Sequence, residues 1–171
     1  MSESIFFLCP VPPKGPPPLE VRRIKAHRMN PYHFVVLSPA FWGLYTHWTG
    51  NHSHPCFKTK EKCAGCKLKC GRKWLGYLHC VDEDNKHCLV EFTKRAANML
   101  LDSVPAGRIL RGIRVAMQRT EGGKNGRLCA RMIGIVASPE RLPAAQDPEY
   151  TMGIVYGILD DLDNDIQASL A

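Results

Sequence analysis

The chain has 171 residues, 44% hydrophobic and 23% charged, which is enough for one domain with a real core and thin for two. Its net charge of +7 is unevenly spread: residues 1–141 carry all 23 Lys and Arg against ten acids, or +13, whereas residues 142–171 carry six acids and no base. No apolar run has the length of a membrane span, and the start lacks the basic and long apolar regions of a signal peptide, so a secreted disulfide framework is a poor use of the eight Cys.

In chain order, residues 10–18, PVPPKGPPP, hold six of the thirteen prolines and predict an extended arm over 1–18. LEVRRIKAHR (19–28) reads as a strand entering the body. FVVLSP (34–39) and FWGLYTHW (41–48) are β-branched and aromatic, and read as strand. After a His/Cys loop, WLGYLHCV (74–81) and HCLVEF (87–92) form a hairpin across the turn 82–86. Thr93 can cap a helix over KRAANMLLD, whose Ala96, Ala97, Leu100 and Leu101 fall on one face.

ILRGIRVAMQR (109–119) and RLCARMIGIV (127–136) alternate on either side of a glycine-rich loop, with Ile113, Val115, Met117, Leu128, Ala130 and Met132 directed inward. Pro139, Pro143 and Pro148 mark a linker. The end of the chain reads as an acidic amphipathic helix, with Ile158, Leu159, Leu162 and Ile166 set among four Asp. The expected organisation is an arm (1–18), a domain (19–138) with a metal loop at 47–74, and a linker with an acidic segment (139–171).

The order strand, long loop, strand, strand, helix, strand, strand is that of an OB-fold. The expected fold is mainly β: a five-stranded OB-like barrel with the loop between strands 1 and 2, one helix between strands 3 and 4, and a C-terminal acidic helix. Another small barrel or an α+β sheet fits the same string.

The loop gathers His47, His52, His54, Cys56, Cys63, Cys66 and Cys70. Such density suits a disulfide staple, a reactive cysteine or a metal site. A reducing compartment disfavours the first, and a redox Cys-x2-Cys belongs at the start of a helix in a βαβ unit, which is not the pattern here. Zinc takes four N or S ligands, and Cys63-Ala-Gly-Cys66 supplies two from one turn, eased by Gly65. Cys56, Cys63 and Cys66 form the core of the ligand set. His47 is the preferred fourth ligand, with Cys70 and then His54 as alternatives. Cys9, Cys80, Cys88 and Cys129 stand singly, and Cys80 and Cys88 read as small buried apolar residues.

One structural Zn2+ is therefore expected. The deaminase pattern of His-x-Glu with Pro-Cys-x2-Cys fails, and nothing completes a metal-dependent nuclease site. A non-enzymatic protein is the expectation, with a zinc nuclease using His52 and His54 as the remaining catalytic reading.

A zinc loop set in a five-stranded barrel resembles zinc-containing OB-fold proteins that bind single-stranded DNA. His47, Cys56, Cys63 and Cys66 follow the ligand order of the T4-type phage helix-destabilising proteins. Cys56, Cys63, Cys66 and Cys70 are similar to the four-Cys set of the zinc OB domain in the large subunit of replication protein A. The resemblance spans about residues 34–136 and is architectural; the short gap from Cys56 to Cys63 and the Cys66-x3-Cys70 spacing depart from both kinds. It implies a protein of replication, recombination or repair.

The charge pattern points the same way, because single-strand binders join a basic groove to aromatic platforms. The loop carries Lys58, Lys60, Lys62, Lys67, Lys69, Arg72 and Lys73 between Trp48 and Trp74, and the last hairpin carries Arg111, Arg114, Arg119, Lys124, Arg127 and Arg131. Candidate contacts are Trp48, Lys73, Trp74 and Tyr77 together with those six. Arg114 and Arg131 are expected on neighbouring strands, with Trp74 or Tyr77 near the same groove. The expected partners are single-stranded DNA or RNA and, through the acidic end, a replication or repair protein, with no membrane and a cytoplasmic or nucleoid location. The alternative is an adaptor whose basic surface meets an acidic protein.

Overall fold

The computed structural model of the protein describes residues 19–24, 30–48, 53–56, 63–120 and 126–156. The proline-rich arm, His52, Lys58, Lys60, Lys62, Lys124 and the apolar positions 158–166 lie outside the described residues.

The strands are β1 (Glu20–Arg22), β2 (Tyr32–Val36), β3 (Trp42–Trp48), β4 (Ser53–Pro55), β5 (Arg72–Asp82), β6 (His87–Thr93), β7 (Ile113–Arg119) and β8 (Leu128–Ile135). The helices are α1 (Ala64–Lys67), α2 (Lys94–Ser103) and α3 (Pro148–Tyr156), with a 3-10 turn at Pro139–Arg141. All eight strands belong to one sheet, ordered β1-β6-β5-β2-β7-β8, with β3 on β5 and β4 on β3. β1 runs parallel to β6, and the other pairs are antiparallel.

This corrects the expected barrel. Closure requires the last strand to pair with the first; among the described residues β1 and β8 end the order without pairing, so the sheet is open. The described residues also form eight strands, not five. The reason lies in β5, which is 11 residues long. One edge pairs with β6 over most of its length, while the other is shared: Arg72–Tyr77 pair with β3 and Cys80–Asp82 with β2. The sheet therefore branches along β5.

Two-residue alternation assigns the faces. Phe34, Val36, Leu78, Val90, Phe92, Ile113, Val115 and Met117 form one buried cluster with Ala96, Ala97 and Leu100 of α2. The expected helix is present, and the Thr93 hydroxyl accepts the Ala96 N–H at 3.3 Å. Leu101 departs from expectation: it lies at the edge of the apolar stripe and is exposed. The opposite face buries Tyr77, Leu89 and Leu19 beneath Met152, Val155 and Tyr156, where α3 docks.

The 82–86 turn is organised by Asp82, whose Oδ1 accepts the N–H groups of Asp84 and Lys86 while Oδ2 meets Arg22 at 2.5 Å. Desolvation pushes this carboxyl up, but its hydrogen bonds outweigh that and hold it below the usual range.

Candidate metal centre

Three short pieces of backbone converge on one point. β3 delivers His47, and β4 folds back on it with His47 opposite His54. Cys56 follows β4 and is pinned by its N–H to the Tyr45 carbonyl at 2.7 Å. Cys63 precedes α1 and Cys66 lies within it, with the Lys67 N–H on the Cys63 carbonyl at 3.0 Å. The chain then turns back through Lys69, at φ 54°, and the Cys70 N–H closes on the Gly65 carbonyl at 2.9 Å. Thus 15 residues separate His47 on β3 from the knuckle at Cys63, yet one imidazole nitrogen and three sulfurs meet.

One ligand atom each from His47, Cys56, Cys63 and Cys66 lies within 4.8 Å of the others. Cys56 Sγ is 3.7 Å from Cys66 Sγ, which is 3.4 Å from His47 Nε2. His47 Nδ1–H donates to the Cys70 carbonyl at 2.9 Å, which leaves Nε2 as the lone-pair nitrogen facing the sulfurs. Cys63 and His47 are buried, and Cys56 and Cys66 half-buried. The Cys66 thiol is pushed up to about 11, first by desolvation and then by Cys56 and Cys63. A cation among the sulfurs reverses that balance by stabilising the thiolates. This cluster could hold a metal ion.

These are the four residues expected from their spacing. Cys70 and His54 stay outside the cluster, and Cys70 contributes its backbone oxygen instead of its sulfur. The role of Gly65 differs from expectation. A Cβ at this position would lie 2.3 Å from His47 Cγ, so glycine admits the ligand ring and does more than ease a turn.

Among the described residues, the expected nucleic-acid contacts do not come together as one groove. Arg114 and Arg131 lie exposed on the neighbouring strands β7 and β8, as expected. Trp74 packs on the α2 side against Phe41, with ring centroids 6.1 Å apart, and its indole covers Gly43 and Gly76. Tyr77 points to the other face and is fully buried, its hydroxyl 2.6 Å from that of Tyr156 and donating to Glu91 at 3.0 Å. Burial, then the Tyr156 hydroxyl, pushes the Tyr77 hydroxyl far up.

Arg111 is a structural clasp: it donates to the carbonyls of Leu37, Leu142 and Pro143, at 2.9, 2.6 and 3.0 Å. Arg119 does the same for Ile24 and Gly126. Arg127 is exposed at the start of β8, and Lys73 and Trp48 are exposed at the metal end of the sheet. Tyr45, which the sequence did not single out, is also exposed there, with the Arg72 guanidinium 5.4 Å from its ring centroid. The alternation of Trp42 and Leu44 against Gly43 and Tyr45 was the available signal for it. No helix among the described residues is long and apolar enough to cross a membrane.

The chain matches no protein-family model, no curated protein and no solved structure.

Proposed function

We propose that this protein binds single-stranded nucleic acid, with DNA the expected partner, through a basic face tied down by one structural zinc ion. Zinc fits the donor set, which is thiolate and imidazole without carboxylate. Tetrahedral ligation at about 2.3 Å for sulfur and about 2.0 Å for nitrogen gives ligand separations of about 3.8 and 3.5 Å. The observed separations of 3.7 and 3.4 Å support that fit. With four protein ligands no open position remains for substrate, so the ion's role is to join β3, β4 and α1.

The observation that carries the reading is the surface of this tied lobe. Trp48 stands exposed beside Lys73, and Glu61 is the one acid in the sequence from 37 to 81, against seven Lys and Arg. An exposed ring next to a cation suits a base that stacks and a phosphate that releases counterions. Exposed single strands in replication, recombination or repair are the fitting setting. The acidic segment after Tyr156 is suited to compete with nucleic acid or to meet a replication or repair partner.

The test is a salt titration of the zinc-loaded protein with a single-stranded oligonucleotide and its duplex. A clear preference for the single strand is expected. Equal or absent binding of both overturns the reading and favours an adaptor for an acidic protein.

A further inference from the structure

We infer that the single strand is read in a groove on the α3 side of the sheet, where Trp48 serves as a base-stacking platform and Lys73 meets phosphate; this rests on the reading proposed above. Register assigns the groove to one face. Thr46 and Trp48 point the same way from β3, Lys73 lies opposite Thr46, and Leu75 continues that face along β5. Across β5, Glu91 stands opposite Tyr77 on the same side. β4 and the last turn of α3 form the walls, giving an open groove of about 740 Å³, in the range of ligand sites of about 300–1,000 Å³.

Its chemistry is suited to a base and a phosphate. Trp48 is 54% exposed, unusual for the largest apolar side chain in a chain whose other two tryptophans are half-buried. Lys73 has no ion-pair partner among the described residues. The one carboxylate in the groove is not bare: Glu91 Oε2 accepts Arg23 Nε at 2.9 Å and the Tyr77 hydroxyl at 3.0 Å. An entering phosphate therefore meets Lys73 and a half-exposed arginine, not an isolated negative charge. Tyr45 and Arg72 lie on the opposite face with the metal cluster, so the two faces can be tested separately.

The experiment uses zinc-loaded full chain and a fluorescein-labelled deoxythymidine 12-mer, with melting temperatures confirming each variant's fold. Trp48→Ala is expected to weaken binding by about 5- to 150-fold with the salt slope unchanged, and Trp48→Phe to retain most of the affinity. Lys73→Ala should flatten the slope of log affinity against log salt by about 0.7, while Tyr45→Ala leaves both quantities alone. Wild-type binding that survives both Trp48→Ala and Lys73→Ala, or that is lost in Tyr45→Ala alone, overturns the groove and leaves the proposed function standing. Failure of the wild-type chain to bind the 12-mer at low salt overturns the function and the groove together.

Discussion

The imidazole of His47 fills the space into which a side chain at residue 65 would project: a Cβ on Gly65 would sit 2.3 Å from the ring's Cγ and 2.4 Å from its Cβ. Neither side can yield cheaply. His47 is fixed by its strand and by the Cys70 carbonyl, while Gly65 lies in the turn that carries Cys66. Gly65→Ala is therefore expected to tilt the ring off the sulfurs and lower metal affinity by at least about tenfold, as losing a ligand's orienting partner does. Competition with a chromogenic chelator measures this, and unchanged affinity would show that the ring is free to move.

The cysteines divide by which atom they offer. Cys63→Ser and Cys66→Ser should each abolish the one equivalent of zinc and lower the melting temperature, because structural metal binding contributes directly to folding. Cys70→Ser should retain the zinc, since only the Cys70 carbonyl is engaged, through His47 Nδ1. Metal analysis of the three variants separates this ligand set from a four-Cys set, in which Cys70→Ser would be as damaging as Cys63→Ser.

Trp74 is a packing residue, and its loss should be felt in stability. Its indole meets Phe41 edge-on and lies so close to Gly43 and Gly76 that a Cβ there would come within 2.7 and 2.3 Å of it. Trp74→Ala should cost about 2–4 kcal/mol, somewhat below a fully buried tryptophan because the ring is half-buried. Chemical denaturation gives the loss, and nucleic-acid binding at saturating folded fraction should match wild type. A large binding defect in the folded variant would restore Trp74 to the interface.

The candidate metal cluster and the local elements were legible because each is written in short-range pattern. A Cys-x2-Cys knuckle needs one turn, and the 82–86 hairpin and the Thr93-capped helix need only neighbours. Closure of the sheet was not legible, since nothing local says that β5 shares one edge between β2 and β3. Arg111 and Arg119 look like any surface arginine in sequence, yet they tie distant carbonyls together across 74 and 95 residues. Tyr77 alternates like a platform residue and is instead roofed by α3, which spans the end of the expected linker and the start of the expected C-terminal helix.

A buried histidine, His79, hydrogen-bonded to the exposed His87, makes the fold sensitive to acid. His79 Nδ1 accepts the Gln146 N–H at 3.0 Å, so the neutral ring carries its proton on Nε2 and donates it to His87 Nδ1, also at 3.0 Å. Protonating His79 would set a second N–H against Gln146 and place a charge in a fully buried site. Burial first, and the His87 charge second, lower its pKa from 6.5 to about 4. The folded state then binds fewer protons than the unfolded chain within this window, so the stabilisation is complete above pH 6.5 and is lost as pH falls toward 4. The shift corresponds to about 2–3 kcal/mol, discounted for solvent reaching the exposed His87 side. His79→Asn keeps an acceptor for Gln146 without a titrating ring. Loss of the proposed zinc in acid would affect both proteins, so the difference between them isolates His79. Urea unfolding at pH 7.5 and 4.5 should show wild type losing about 2 kcal/mol more than His79→Asn between the two. An equal loss in both proteins would mean that His79 does not titrate in the folded state as its contacts require.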